Sequence, residues 1–296
     1  MLSEDTVYLR LSTFHDLIDD ATFLEIMEGL VDWNRRPFDH YTDIAMRGRP
    51  RPVTPELLLG ELHARVGAGL HQIARFRLQS DEGPVASYEM MAGGHPYTGV
   101  FHTTIDIRVR GDWVRRNPEM GPRLLRKRFV ELAHQTHPFQ GHVHDTDDNS
   151  IQNAGDAGLL RRGFGVEVDG PIDLASNPGR ELSRGEFRYA VNWLTLFGPA
   201  LLERVTVEAV QSIPCGNVER LGVDFHARTT PGQHVAERMG ATFPDKPETW
   251  WLLQLGPTPI PFAPYRDAQG RARDHLRYAE LAESERWPLG YWQKKR

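Results

Sequence analysis

The alternation of hydrophobic and polar residues is clearest in residues 187–204, which read FRYAVNWLTLFGPALLER. Large side chains occupy every second position at its start: Phe187, Tyr189, Val191 and Trp193. This two-residue period is typical of a strand that buries one face. Gly198 and Pro199 then interrupt the run, and proline is favoured at the first position of a helix because its missing N–H needs no partner there. The pattern therefore predicts a strand that leads into a short helix.

Several other segments have the composition of strands. β-branched and aromatic residues are concentrated in residues 6–11, 73–79, 85–91, 103–109, 206–211 and 218–226. The turn sequence Asp81–Pro84 joins two of these segments into a predicted hairpin. Residues 249–255 read TWWLLQL and are almost continuously apolar, which predicts a central strand that is covered on both faces.

Helical periodicity separates the predicted strands. Apolar residues recur every three or four positions near residues 20–36, 54–67, 117–135, 231–239 and 272–285. Because both short turns and helices connect the strands, a doubly wound parallel sheet is disfavoured. The sequence predicts an α+β fold with a mixed, mostly antiparallel sheet and helices mainly on one face.

No shift in composition marks a domain boundary, so residues 1–296 are expected to form a single α+β domain. The strand–helix–strand rhythm recurs in about residues 1–100 and 101–296, which suggests a weak internal duplication. No residue-level repeat accompanies this rhythm.

Composition and charge restrict the class of protein. The chain has 296 residues, of which 40% are hydrophobic and 25% are charged, as in ordinary soluble domains. A net charge of −5 argues against nucleic-acid binding and suits a basic protein partner. Cys215 is the single cysteine, which excludes an internal disulfide and fits a reducing compartment. The charged N-terminal sequence and the lack of a long apolar run predict a cytoplasmic protein with no membrane segment.

The densest set of potential metal ligands lies between residues 134 and 148. It consists of His134, His137, His142, His144, Asp145, Asp147 and Asp148. Imidazole and carboxylate groups at this density could hold a transition metal. Their spacing contains no HExxH motif, although His142 and His144 would share one face of a strand. A polar strand end explains the cluster better, so no metal site is predicted.

The same region also has some features of a calcium-binding loop. Residues 145–156 read DTDDNSIQNAGD, with oxygen ligands at the first, third and fifth positions of an EF-hand pattern: Asp145, Asp147 and Asn149. Ser150 replaces the glycine of the sixth position, and Asp156 replaces the bidentate glutamate. An Asx-rich turn is the better interpretation.

Motifs of nucleophilic or nucleotide-dependent enzymes do not occur in the sequence. It contains no G-x-S-x-G elbow, Walker loop or G-x-G-x-x-G. Cys215 lies between Pro214 and Gly216, with no neighbouring base. These absences favour a non-enzymatic protein, although scattered catalytic residues would leave no such motif.

The stretch FRYAVNWLTLFGPALLERV resembles bacterial immunity proteins of the type VI secretion immunity family and related immunity families of polymorphic toxin systems. The shared pattern is an Asn-Trp-Leu-Thr stretch followed by Gly and a Leu-Leu-Glu helix: Asn192, Trp193, Leu194, Thr195, Gly198, Leu201, Leu202 and Glu203. An apolar strand into Gly and Pro, and then a Tyr-Arg pair, follow in the same order: Leu253, Gln254, Leu255, Gly256, Pro259, Tyr265 and Arg266.

The resemblance implies a cytoplasmic protein that binds and neutralises a cognate toxin protein, without catalysis, a cofactor or catalytic residues. It also implies that Trp193 is a core anchor rather than an interface residue. Two alternatives remain: a metal-dependent hydrolase that uses His142, His144 and the neighbouring aspartates, and a non-enzymatic structural or assembly protein. Neither a nucleic-acid nor a membrane partner is predicted, and the sequence does not define the oligomeric state.

Overall fold

The computed structural model describes residues 6–13, 20–43, 48–54, 60, 74–94, 101–146, 148, 187–221, 249–261 and 263–285. The strands in these residues are β1 Thr6–Thr13, β2 His40–Asp43, β3 Arg51–Pro52, β4 Ala74–Gln79, β5 Val85–Gly94, β6 Phe101–Arg110, β7 Gln140–Asp145, β8 Leu194–Phe197, β9 Asn217–Leu221 and β10 Trp250–Gln254. The α-helices are α1 Asp20–Asn34, α2 Gly111–Arg116, α3 Met120–Thr136, α4 Pro199–Val205, α5 Val207–Gln211, α6 Arg266–His275 and α7 Tyr278–Ser284.

The ten described strands form one sheet in the order β3-β2-β4-β5-β6-β1-β7-β8-β10-β9. Every neighbouring pair in this order is antiparallel. The predicted α+β class, with a mostly antiparallel sheet, is therefore confirmed. Strand β10 pairs with β8 on one side and β9 on the other, as its continuous apolar sequence predicted.

The central strand β1 shows that one face of the sheet is apolar and the other is polar. Val7, Leu9 and Leu11 are buried in the hydrophobic core, and the intervening side chains point to the opposite face. Helix α3 packs on the apolar face at Gly141 of β7, where an added Cβ would lie 2.9 Å from the ring of Phe129. This glycine lets the helix approach the sheet closely.

The predicted hairpin β4–β5 is held by the end of helix α1. The Asn34 side chain donates from Nδ2 to Ser80 Oγ at 3.0 Å and accepts from the backbone N–H of Val85 at 3.1 Å. Gly83 in the turn has a φ of 82° and lies against the Asn34 side chain. Glycine suits this turn because its backbone adopts a positive φ at little cost and it has no Cβ to collide with Asn34.

Residues 187–193 depart from the predicted strand. They have no regular secondary structure and, apart from Arg188, are buried, and strand pairing begins only at Leu194. Alternation correctly indicated burial of the four large side chains, yet the segment packs through side chains instead of joining the ladder.

Two other predictions differ from the structure. Residues 206–211 were expected to form a strand, but they contain helix α5. Thr206 is the N-cap of this helix, and its Oγ1 accepts a hydrogen bond from the backbone N–H of Ala209 at 3.3 Å. The predicted final helix is two helices, α6 and α7, because Arg277 between them adopts a φ of 55°. The predicted helix at 231–239, and most of the one at 54–67, lie outside the described residues.

Among the helices that the structure describes, none combines the length and apolar character needed to span a bilayer.

Candidate functional site

A row of charged and polar side chains crosses the polar face of the sheet. Strand register aligns Arg77 of β4, Glu89 of β5, Asp106 of β6, Arg10 of β1 and His142 of β7. We call these five residues the polar row. Each member lies at a position that points away from the apolar face, so their charges and polar groups must be satisfied by one another, by neighbouring residues or by a ligand.

Arg10 and Asp106 form a bidentate pair in this row. Arg10 Nε and Nη2 donate to the two carboxylate oxygens of Asp106 at 2.8 and 2.7 Å. Burial alone would raise the pKa of Asp106, but the guanidinium of Arg10 holds it below its usual value. The aspartate is therefore ionised and bound at neutral pH.

Glu89 is the second anion of the polar row and is only 6% exposed. Its carboxylate accepts from Arg75 Nε at 2.7 Å and from Arg77 Nη2 at 2.6 Å. Two guanidinium groups thus share one carboxylate, and hydrogen bonds to ionised groups are the stronger ones.

His142 and His144 share this same face of β7, as the sequence predicted. Both are buried, with 3% and 4% of their surface exposed. Burial, followed by the charge of Arg10, lowers the pKa of His144 to about 3, and burial also lowers the pKa of His142 well below its usual value. Both imidazoles are therefore neutral at pH 7.

The surroundings of the two rings differ. His144 stacks on Tyr8 at a centroid distance of 5.3 Å, and its Nδ1 lies 3.2 Å from the carbonyl oxygen of Asp145. Neither ring nitrogen of His142 has a hydrogen-bond partner. Buried polar atoms without partners are uncommon, and they often mark a functional role or an unseen ligand.

Two of the acidic residues that the sequence placed beside these histidines, Asp145 and Asp148, form hydrogen bonds with other groups. Asp145 Oδ1 accepts from the backbone N–H of Asp148 at 2.7 Å, three residues further along, which is the spacing of a helix N-cap hydrogen bond. The Asp148 carboxylate accepts from Asn192 Nδ2 and from Gln269 Nε2, each at 2.8 Å. The described chain contains no group of three His, Cys, Asp or Glu side chains arranged to hold a metal ion.

The remaining candidate ligands are not gathered at one point. His134 is on helix α3, where burial and then the neighbouring His137 lower its pKa. His137 follows the helix with a φ of 47° and meets the ring of Trp250 edge-on. Asp147 and residues 149–156 lie outside the described residues, so the predicted absence of a metal site there stays a prediction.

Cys215 does not have the surroundings of a nucleophile. Its Sγ lies 3.1 Å from the carbonyl oxygen of Ala268, and burial raises the pKa of the thiol. A raised pKa keeps the sulfur protonated, whereas reactive cysteines have a lowered pKa.

Five of the residues that carry the family resemblance make close contacts, and we call them together the junction: Asn192, Trp193, Thr195, Gly198 and Gly256. Thr195 Oγ1 accepts from the backbone N–H of Asn192 at 2.9 Å. Trp193, which has no exposed surface, donates from Nε1 to the carbonyl oxygen of Gly256 at 2.7 Å. These contacts connect the start of β8 with the end of β10.

The two glycines of the junction are required by close packing. A Cβ on Gly198 would lie 2.2 Å from the carbonyl oxygen of Pro138. A Cβ on Gly256 would lie 2.1 Å from the ring of Tyr265. Neither position has room for a side chain, so these parts of the resemblance are explained by packing.

Sequence reasoning did not single out Arg10, Glu89 or Asp106. A signal was present, because each interrupts an alternating strand with a charge at a position of the polar face. The register of strand pairing, which places these charges side by side, could not be predicted from the sequence.

No family model and no curated protein matches this chain. Among solved structures, the chain is similar to the Pseudomonas aeruginosa T6SS protein PA0821, with 12% sequence identity and a TM-score of 0.49. The match covers 93% of this chain and 81% of the other. Similarity at this level transfers no function.

Proposed function

We propose that this chain is a cytoplasmic immunity protein that binds and neutralises a cognate bacterial toxin without catalysis. One observation supports this most directly: the two stretches that resemble the immunity families contact each other through Trp193 and Gly256, which are 63 positions apart in the sequence. A chance local match gives no reason for two distant stretches to pack together. Their contact favours a resemblance in architecture.

The proposal assigns the junction a supporting role. Asn192, Trp193 and Thr195 are all buried, so they hold the fold and are not available to a partner. Toxin binding therefore uses another surface, of about 800 Å² on each partner, in which a few anchors supply most of the binding free energy.

Co-expression of this chain with the product of the gene next to its own, as the candidate toxin, tests this function. The neighbour alone is expected to stop growth, and this chain is expected to restore growth and to co-purify with it. Gly270→Ala is a suitable folded control, because its added Cβ meets no atom within 4 Å. If a toxic neighbour is neither neutralised nor bound by the folded protein, the immunity function is wrong.

A metal-dependent hydrolase is the second candidate, and it is favoured by one observation. The neutral, unpartnered imidazole of His142 is in the form that binds metal ions. The charge of Arg10 on the paired position of β1 opposes a cation there. Metal analysis of the purified protein, with melting in the presence and absence of EDTA, separates the two candidates: a stoichiometric ion that stabilises the fold favours the hydrolase.

A structural or assembly protein is the third candidate. It differs from an immunity protein in one measurable property, since it would neither bind a toxin nor restore growth in the co-expression experiment.

A further inference from the structure

Four arginines lie on the polar face of the sheet, and we call them together the arginine patch: Arg10 of β1, Arg75 and Arg77 of β4, and Arg108 of β6. Buried apolar residues adjoin each of them along its strand, which places the four side chains on the face opposite the core. Neighbouring strands are about 4.8 Å apart, so the patch extends about 14 Å from β4 to β1. This width accommodates more than one ligand group.

Cations form the outer layer of the patch, and carboxylates lie beneath them. The side chains of Arg10, Arg75 and Arg77 are 26%, 44% and 29% exposed. Those of Asp106 and Glu89 are only 17% and 8% exposed. A ligand that approaches from solvent therefore meets guanidinium groups first.

The carboxylates hold three of the guanidinium groups in fixed positions. Arg10, Arg75 and Arg77 each direct Nε and Nη2 to a carboxylate, at distances between 2.6 and 3.0 Å. In the part of the chain that the structure describes, none of the three Nη1 atoms has a hydrogen-bond partner, and none is buried. Side chains that are already fixed lose less conformational entropy on binding, so the patch is preorganised to donate further hydrogen bonds.

Arg108 is the member of the patch that no described carboxylate binds. Its guanidinium carbon lies 5.3 Å from the centre of the Tyr8 ring, a cation–π contact that positions the group without neutralising it. Asp106, two positions away on the same face, is already bound by Arg10. Nε of Arg108 is buried, whereas Nη1 and Nη2 are not, and they form no hydrogen bond with any described residue. Arg108 therefore offers both terminal nitrogens to a ligand.

We propose that the arginine patch binds an acidic segment of the protein partner; that the partner is a toxin rests on the function proposed above. One carboxylate of this segment accepts hydrogen bonds from Nη1 and Nη2 of Arg108. In an extended segment, side chains two positions apart lie on the same side and about 7 Å from each other. A second carboxylate at that spacing accepts from Nη1 of another arginine of the patch.

Charge and geometry select this occupant over others. Four guanidinium groups and two carboxylates leave an excess of positive charge, which a basic or apolar segment would bury without neutralising. A planar carboxylate matches the two donors of a guanidinium group. Nucleic acid is a poorer match, because the chain as a whole has a net charge of −5 and repels a long polyanion more than a short acidic segment.

Isothermal titration calorimetry with three probes tests the patch without the toxin: an octapeptide of alternating glutamate and threonine, the same peptide with glutamine in place of glutamate, and an oligothymidylate of equal length. The glutamate peptide is expected to bind at low salt, more weakly as salt is added, and the glutamine peptide is not. Arg108→Gln, which breaks no ion pair in the described chain, is expected to weaken this binding by about tenfold, the factor for a hydrogen bond to a charged group. Arg123→Gln is the matched control, because Arg123 is exposed on helix α3, which packs on the opposite face of the sheet.

The outcomes separate the alternatives. Tighter binding of the oligothymidylate than of the glutamate peptide would overturn an acidic protein segment as the occupant in favour of nucleic acid. No saturable binding of the glutamate peptide at low salt, by protein whose melting shows that it is folded, would overturn the site itself. Equal affinities of Arg108→Gln and Arg123→Gln would show that overall charge, and not the patch, attracts the peptide, and would also contradict the proposal.

Binding to the toxin completes the test. Arg108→Glu is expected to weaken toxin binding by about tenfold or more, because it sets a carboxylate against the acidic segment, while Arg123→Glu binds normally. If the wild-type protein and Arg108→Glu bind the toxin equally, the patch proposal is wrong and the immunity function stands. If the glutamate peptide binds at the patch but a toxic neighbour is not bound, the immunity function is wrong and the patch remains a site for acidic segments.

Discussion

The side-chain amide of Asn192 donates a hydrogen bond from Nδ2 to Oδ2 of Asp148 across 2.8 Å, although 44 positions separate the two residues. Gln269 of helix α6 donates to the other oxygen of the same carboxylate. Asp148 is only 2% exposed, so these amides supply hydrogen bonds that water cannot provide. The segment after β7, the segment before β8 and helix α6 are thereby joined at one buried side chain.

Asp148→Asn is expected to lower the free energy of unfolding by about 1–3 kcal/mol, the range for leaving a buried hydrogen-bonding group unsatisfied. One oxygen becomes an NH₂ group that faces another donor, either Asn192 Nδ2 or Gln269 Nε2. Urea denaturation measures the change.

Asn192→Asp is expected to destabilise as well, because it sets two buried carboxylates against each other. The double variant Asp148→Asn/Asn192→Asp restores one donor and one acceptor and should recover part of the loss. A double variant whose loss equals the sum of the single losses would show that the two side chains do not interact energetically.

Acid is expected to destabilise the fold through the buried histidines. In the unfolded chain, imidazoles bind protons below about pH 6.5. In the folded protein, burial keeps His144 neutral down to a pKa of about 3 and lowers the pKa of His142 in the same direction. The unfolded state therefore binds more protons in this window, so stability is retained above about pH 6.5 and falls as the pH decreases, by about 1.4 kcal/mol per pH unit for each histidine.

His142→Phe isolates one of these contributions. The substitution keeps a ring in place and removes two nitrogens that have no hydrogen-bond partner, so stability at pH 7 should not fall. Between about pH 5 and pH 6.5, stability should decrease less steeply than in the wild type, by the slope of one histidine. Identical slopes in chemical denaturation at several pH values would show that His142 is protonated in the folded state.

Gly198→Ala is expected to destabilise by about 1–3 kcal/mol, the range for overpacking a tightly packed core. Its Cβ would lie 2.2 Å from the backbone oxygen of Pro138, which cannot rotate away as a side chain can. Gly270→Ala is the matched control, because its Cβ would meet no atom within 4 Å and alanine favours helix α6. Thermal melting should lower the Tm of the first variant and raise that of the second; equal Tm changes would contradict the packing argument.

Trp193→Ala is expected to cost about 3–5 kcal/mol in unfolding free energy, because it removes a fully buried indole. It also leaves the carbonyl oxygen of Gly256 without the donor Nε1. Denaturation and toxin binding should be measured on the same preparation. A Trp193→Ala protein of normal stability that no longer binds the toxin would mean that Trp193 belongs to the interface.

Local sequence predicted the parts of the fold that depend on local geometry. The Asp81–Pro84 turn joins β4 and β5 as expected, and apolar residues 250–254 form an interior strand. The prediction for residues 206–211 was wrong because β-branched residues suggested a strand. The side chain of Thr206 instead caps helix α5 by accepting a hydrogen bond from the N–H of Ala209. That hydrogen bond outweighs the weak preference of two valines for a strand.

The candidate site could be predicted only in part. Alternation placed His142 and His144 on one face because the period of a strand is fixed by its backbone. The partners of Asp148 were not predictable in the same way. Asn192 and Gln269 lie 44 and 121 positions from it along the chain. The sequence around a neutral amide does not indicate which distant carboxylate it will bind.

The central position of β1 also affects how this chain can be assembled during synthesis. Thr6–Thr13 is the earliest strand described, yet its neighbours are Phe101–Arg110 and Gln140–Asp145. A ribosome must therefore complete well over a hundred residues before β1 has both partners, and such non-local pairing slows folding. Until then, the backbone of β1 is unpaired and the apolar side chains of Val7, Leu9 and Leu11 are uncovered, and incomplete chains with such surfaces are prone to aggregate.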